Sequence, residues 1–223
     1  MPSQPSLRPI LATFVDRATE LEFQRESYEQ STRSFLQFSV ALGSVAFLAY
    51  GIHDRIVLPS FYEAAWRIRY GVFLPVAALV FAAVRNGKDL GRWREPLMLL
   101  FGASTTGVVI WIGALVPGEA GILYKSYAPM FVVMGPFLLR MSVATEVVFT
   151  LVTILFYLVF DTIAGSADAT LRLSMCTTIA ALGAIGALVA NQQSRQARHS
   201  FLQQRTIEHQ MDALDIEKQR SEH

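Results

Sequence analysis

The chain has 223 residues, of which 52% are hydrophobic and only 17% charged, with a mean hydropathy of +0.37. An average soluble domain carries about 25% charged residues, so this composition excludes a disordered chain, a basic nucleic-acid-binding domain and an ordinary soluble enzyme, and points to the membrane. The net charge is +1, and the single Cys176 leaves no intrachain disulfide framework, CxxC redox pair or cysteine zinc cluster.

Residues 1–34 read as a cytoplasmic amphipathic helix. Leu11, Phe14, Val15, Ala18 and Leu21, then Tyr28 and Phe35, recur at helical spacing with charges on the other face. Asp16, Glu20, Glu22, Glu26 and Glu29 exclude a cleavable signal peptide, so the first span is expected to serve as an uncleaved signal anchor. Two uses remain open for this helix, packing under a bundle or touching a cytoplasmic partner domain.

Residues 35–190 read as a membrane domain. A helix needs roughly 20 mostly apolar residues to cross a ~30 Å hydrocarbon core. Six stretches qualify, at 35–52, 69–84, 96–116, 127–141, 143–160 and 171–190. Pro75 in RYGVFLPVAALVFAAV predicts a kink in the second. The fourth, YAPMFVVMGPFLLRM, is short and holds Pro129 and Pro136, so a five-span chain or a re-entrant fourth segment stays open. The runs are continuous, unlike the ~10-residue alternation of a membrane barrel strand. The fold class expected is therefore all-α, an integral membrane bundle of six transmembrane helices.

Residues 191–223 contain neither Pro nor Gly, which predicts a helix continuing out of span six. Ile207, Met211 and Leu214 form one apolar seam at heptad spacing, but Ala197, Ser200, Gln204, Lys218 and Ser221 fill the other core positions. A self-sufficient coiled coil repeats its apolar pair over several heptads. The segment is either a solubilising helix or a signalling helix poised between pairings. Within span six, Ala180, Gly183, Ala184 and Ala187 have the small-residue spacing of close helix contacts, inside one bundle or across a dimer. Gly183, Ala184, Ala187, Ile207, Met211 and Leu214 are the expected dimer contacts.

No catalytic residue is assigned: HExxH, GxxxxGK[ST] and GxSxG are all lacking. The histidines are expected in loops or tails, which argues against a haem bundle, and Lys88, Lys125 and Lys218 outside the membrane core, which argues against a retinal Schiff base. The spans show no intramembrane charge pairs, which argues against a transporter. Glu146 is expected to be an interfacial carboxylate paired with Arg140 or another base nearby, since an ionisable group inside a membrane is costly. Between the spans, His53, Asp54, Arg55, Glu63, Arg67 and Arg69 stand beside aromatic residues, followed by Tyr124 and Lys125, then Asp161 and Asp168. They suit either an aromatic belt with interfacial charges or a ligand mouth. In the second case Arg67, Arg69, Tyr124 and Lys125 would take an anionic or lipid-like ligand. A metal held by His53, Asp54 and Asp161 has nothing to fix its geometry, and no metal site is assigned.

The last residues, LDIEKQRSEH, resemble the stretch leading into the catalytic domain of membrane-anchored class III nucleotide cyclases of bacteria. The acidic, aromatic helix before span one, WRIRYGVFLPVAALVF and SRQARHSFLQQRTIE are similar to the six-helix anchors of that family. Related anchors occur on sensor kinases and diguanylate cyclases. The resemblance implies the membrane anchor, dimerisation unit and ligand sensor of a receptor-type adenylate or guanylate cyclase. The catalytic domain would follow His223, and magnesium or manganese would belong to that domain alone. It also implies a homodimer in the inner membrane, in contact with lipids and with no nucleic-acid partner.

Orientation follows from the basic residues. Fourteen of them (Arg8, Arg17, Arg25, Arg33, Arg85, Lys88, Arg92, Arg94, Arg140, Arg195, Arg198, Arg205, Lys218, Arg220) fall on the side of the termini. Five (Arg55, Arg67, Arg69, Lys125, Arg172) fall on the other, so both termini are expected in the cytoplasm. Reporter fusions at residues 60, 90, 120 and 223 should read out, in, out and in; an outward C-terminal fusion would refute the six-span topology.

Overall fold

The computed structural model describes residues 13, 15–29, 31–87, 90–165 and 169–221. Arg8, Leu11, Phe14, Lys88, Asp168 and His223 lie outside the described residues. The described chain folds into α1 (Arg17–Glu29), α2 (Ser31–Val57), α3 (Tyr62–Ile68), a π-helical turn (Arg69–Phe73), α4 (Leu74–Asn86), α5 (Leu90–Leu115), α6 (Glu119–Lys125), α7 (Ala128–Leu139), α8 (Val143–Ala164) and α9 (Ala169–Ser221).

Six helical segments are long and apolar enough to cross a membrane: Arg33–Val57, Tyr62–Asn86, Trp93–Leu115, Glu119–Leu139, Val143–Ala164 and Ala169–Arg220. The fourth is full length, because α6 lies N-terminal to the proline-containing part. Amides of Ser126 and Tyr127 carry the ladder from α6 into α7, bonding the carbonyls of Ile122 at 3.0 Å and Tyr124 at 3.2 Å. In the second, the widened turn Arg69–Phe73 directly precedes Pro75. Proline has no N–H and its ring crowds the preceding turn, and a π-turn is one way a helix absorbs that.

Spans one and five run further than their hydropathy alone suggests, to Val57 and Ala164 rather than to 52 and 160. Asp54 and Asp161 are thereby inside helices, not in loops, and so are His53 and, on α6, Lys125. The reason lies in their pairing, described below.

The central helix is α5, which packs against α4, α7 and α8, while α9 lies along α7 and α8. Short connections join successive spans, the arrangement that makes neighbours antiparallel. A close approach locks α6 onto the end of α5: a Cβ on Gly113 would lie 2.6 Å from Lys125 Cγ and 2.9 Å from the Gly121 carbonyl.

Helix α1 packs against α2 and α5 and meets the second half of α9. Asp16 caps α1, accepting from the Thr19 hydroxyl at 2.6 Å and the Thr19 amide at 2.9 Å, and these bonds, the hydroxyl's first, hold its carboxyl below the usual carboxylate range. Among the described side chains of α1 the buried one is Phe23, which meets Phe201 edge-to-face at 5.4 Å. Glu20 pairs with Arg198 at 2.6 Å and Glu22 with Arg205. The apolar face expected from Val15 and Leu21 is exposed instead, because the two glutamates and Phe23 present one surface to the basic residues of α9. Phe23→Ala should release α1. Burying a Phe is worth about 1.5–3 kcal/mol, so amide exchange across residues 17–29 should speed up roughly ten- to hundredfold while exchange in the bundle stays unchanged.

Candidate functional site

At the end of the bundle away from the termini, two charge clusters close the helix ends. In the first, Arg69 on the π-turn is fully buried and grips Asp54 of α2 through two bonds, Nε–Oδ2 at 2.9 Å and Nη2–Oδ1 at 2.8 Å. Its Nη1 donates to the Phe47 carbonyl at 3.1 Å, and its guanidinium lies 4.4 Å from the Phe47 ring centre. Tyr124 of α6 is buried between them, accepting from Arg69 and donating to Asp54. The widened turn at Arg69 and the Gly113–Gly121 contact bring these groups from three spans to one point.

In the second cluster Asp161 of α8, fully buried, accepts from Lys125 of α6 at 2.7 Å and from Arg172 of α9 at 3.0 Å. Lys125 itself is buried. The two clusters tie α2, the second span, α6, α8 and α9 together at one end.

The residues expected to form a ligand mouth therefore separate. Arg69 and Tyr124 belong to one internal network and Lys125 to the other. Arg67 alone of the four faces solvent, 3.7 Å from Glu63 one turn away. Arg69 and Lys125 are already neutralised by protein carboxylates, which removes the charge that would attract an anion. The charge pairs were not legible in the spans because hydropathy placed Asp54, Lys125 and Asp161 outside them. His53, Asp54 and Asp161 do not converge either; among the described residues no three His, Cys, Asp or Glu side chains form a metal-sized group.

Glu146 is the clearest departure from the sequence reading. It is fully buried, and among the described residues neither carboxylate oxygen has a hydrogen-bond partner. Arg140, expected to pair with it, follows α7 in the left-handed region at φ 48° and lays its guanidinium 4.1 Å from the Phe35 ring centre. Arg94 donates to the Arg140 carbonyl, and Glu95 accepts from the Ser142 amide at 3.1 Å, so these ionic groups close the ends of α7 and α8 instead.

A cleft of about 230 Å³ opens between α2 and α7, with α5 and α8 as its floor. Gly43, Phe47 and Tyr50 line one side, Phe131, Met134 and Leu138 the other, and Phe101 and Phe149 the base. Its lining is almost wholly apolar, and the flanking Phe38, Leu42, Met130 and Phe137 are exposed, so it opens on the face that would meet lipid. Sequence reasoning missed this cleft because its residues are scattered over four helices and look like ordinary core. Phe47 belongs both to the cleft and to the Arg69 network, and Phe149 and Gly135 stand between the cleft and Glu146.

Of the expected dimer contacts, Gly183 is turned inward. It is buried, and a Cβ there would overlap the Thr150 side chain of α8. Its smallness serves packing within one bundle. Ala184 faces outward and Ala187 is half-buried. Ile207, Met211 and Leu214 are 56–64% exposed, on a tail helix where none of the described residues covers them.

No protein-family model, curated protein or solved structure matches the chain.

Removing one partner of a buried ion pair leaves the other charge stranded, at a cost of about 3–5 kcal/mol, whereas replacing both by apolar groups is far milder. Asp54→Leu and Arg69→Met should each lower thermal stability strongly in detergent, and the double variant should recover most of the loss. Gly183→Ala should also destabilise the bundle, and Thr150→Ala in the same chain should restore part of the melting temperature. Full stability of Gly183→Ala with loss of association alone would instead place Gly183 between chains.

Proposed function

We propose that this chain is the membrane anchor, dimerisation unit and ligand sensor of a receptor-type nucleotide cyclase, regulating cyclic nucleotide synthesis by a catalytic domain beyond His223. It lies in the bacterial inner membrane with both termini in the cytoplasm. The observation that carries this reading is α9. One unbroken helix of 53 residues packs against α7 and α8 along its first half and then leaves the bundle. Past Arg205 it exposes Ile207, Met211 and Leu214. A rigid helix joining a membrane bundle to an uncovered apolar seam suits the transfer of a small displacement to a paired cytoplasmic unit. Of the outward-facing positions, Ala184, Ala187 and the tail seam are the proposed homodimer contacts.

The basic residues counted on the far side support this orientation further. Arg69 is paired with Asp54, and Lys125 and Arg172 share the one carboxylate of Asp161, which lowers the net positive charge at that end and leaves more of it at the end of the termini. The ligand reading favoured by the geometry is lipid-like rather than anionic. The buried cations have carboxylate partners, while the apolar cleft between α2 and α7 has room for an alkyl chain or a small lipophilic molecule. Magnesium or manganese belongs only to the catalytic domain that the resemblance implies. A histidine kinase or diguanylate cyclase output fits the same helix. Transport of a small solute is favoured by the buried carboxylate of Glu146 and by the charge pairs Asp54–Arg69 and Asp161–Lys125 inside the spans.

Cysteine crosslinking tests the pairing on a Cys176→Ser background. Single cysteines at 207, 211 and 214 should form interchain disulfides more readily than those at 209, 212 and 216, and Met211→Asp should weaken crosslinking at 207 and 214. Equal yields at all six positions, or none, would refute pairing in this register. The purified chain, given ATP or GTP with magnesium or manganese, should make no cyclic nucleotide; turnover tied to this polypeptide would overturn the assignment of catalysis to a separate domain.

A further inference from the structure

Glu146 sits in the first turn of α8, between Gly135 of α7 and Gly186 of α9. Its two oxygens lie against glycine backbone on both sides. A Cβ on Gly186 of α9 would be 2.5 Å from Oε1, and one on Gly135 of α7 would be 3.3 Å from Oε2. The carboxyl group thus lies between two neighbouring helices, overlapping the place a side chain would take at Gly186 and in tight contact with the place one would take at Gly135. Thr150, one turn along α8, donates its hydroxyl to the Glu146 main-chain carbonyl at 2.9 Å, not to the carboxyl group.

The elements around Glu146 bring no charge to it. No residue of α7 is titratable, and on α9 none occurs between Cys176 and Arg195. On α5 none follows Glu95, and on α2 none lies between Arg33 and Tyr50. On α8 itself the next are Tyr157 and Asp161, at the far end. The closest ionic groups at the near rim have other partners: Arg94 on the Arg140 carbonyl, Glu95 on the Ser142 amide, Arg140 on the Phe35 ring and Arg33 on the Gly87 carbonyl. A carboxylate in an apolar interior needs a counter-charge, hydrogen-bond donors or water. The described residues around Glu146 provide neither a counter-charge nor a hydrogen-bond donor, an environment that favours the neutral acid.

We propose that Glu146 is a proton-binding site and that its occupancy sets the packing of α9 against α7 and α8. With the proton bound, the neutral acid allows the glycine contacts to close. When the acid gives its proton to water, forming hydronium and a carboxylate, the new charge draws in water or a donor and pushes Gly186 away. Because α9 is unbroken to Ser221, a shift at Gly186 reaches the exposed seam at Ile207, about 30 Å further along the helix. The bundle would then report local proton availability on the same rod that carries a ligand signal. This site is separate from the cleft, so it stands whether or not the cleft binds a ligand.

Two measurements on the full chain in lipid nanodiscs test the proposal. In the first, the chain carries isotope-labelled glutamate and is titrated by infrared spectroscopy. A glutamic-acid C=O band should persist above the pH at which the surface glutamates have ionised, and should be missing from Glu146→Gln. A glutamate signal that is wholly carboxylate at that pH overturns the site. In the second, spin labels at Val148 and Leu188, both on the exposed surface, report the α8–α9 spacing in a Cys176→Ser background. The spacing should widen as the acid band disappears and stay constant in Glu146→Gln. A spacing that ignores the loss of the band, or that changes equally in Glu146→Gln, overturns the coupling. If Glu146→Gln fails to fold, the match between band and spacing in the parent chain decides alone.

Discussion

Within a bilayer a charged side chain finds its counter-charge inside the protein or destabilises it, and the far end of this bundle is organised by that requirement. Asp54 and Asp161 sit in helices that would otherwise have to end before them. Each is buried, and each is gripped by cations from other spans: Arg69 for one, Lys125 and Arg172 for the other. The Tyr124 hydroxyl occupies the space between Arg69 and Asp54, accepting from one and donating to the other. These pairs do not add much net stability compared with apolar packing. What they do fix is position, because together they tie α2, the second span, α6, α8 and α9 to one another at that end.

That fixed end contrasts with the opposite one. There the ionic groups bond to main-chain carbonyls and amides at helix ends, as Arg33, Arg94 and Glu95 do. The long helix α9 is tied to Asp161 through Arg172 at one end and held by α1 at the other, through Phe23, Glu20 and Glu22. Between these attachments it rests on glycines. A helix pinned at its ends and packed through small residues can shift or rotate with few side chains to rearrange, which is the mechanical property a transmitting helix requires.

The cleft and Glu146 are adjacent features of that movable region. Phe149 lines the cleft and Gly135 lies on the wall between them. Whatever changes the separation of α2 and α7 also bears on the glycine that faces Glu146. Phe47 makes the corresponding link toward Arg69, through its carbonyl and its ring. Occupancy of the cleft and protonation of Glu146 would therefore act on the same helices, each with its own chemical sensitivity.

Much of the architecture is legible in the sequence alone. Hydropathy over windows of helical length finds six spans, since only a helix satisfies its own backbone in hydrocarbon, and the lack of Pro and Gly after Asn191 foretells that α9 runs on without a break. The exposed seam of Ile207, Met211 and Leu214 is also a local pattern. What tertiary structure alone decided are the contacts between residues distant in the chain. Nothing near Asp54 in sequence shows that Arg69 will reach it from a π-turn, or that Lys125 will meet Asp161. A hydropathy window therefore ends the spans too early and reads the paired cations as free for a ligand. Phe23 was overlooked for Val15 and Leu21 because periodicity gives a helix an apolar face, but only the partner's surface selects which residues are covered. The lone carboxyl group of Glu146 is the limiting case. Its neighbours are glycines on two other helices, and a residue without a side chain leaves no mark in the sequence of what it accommodates.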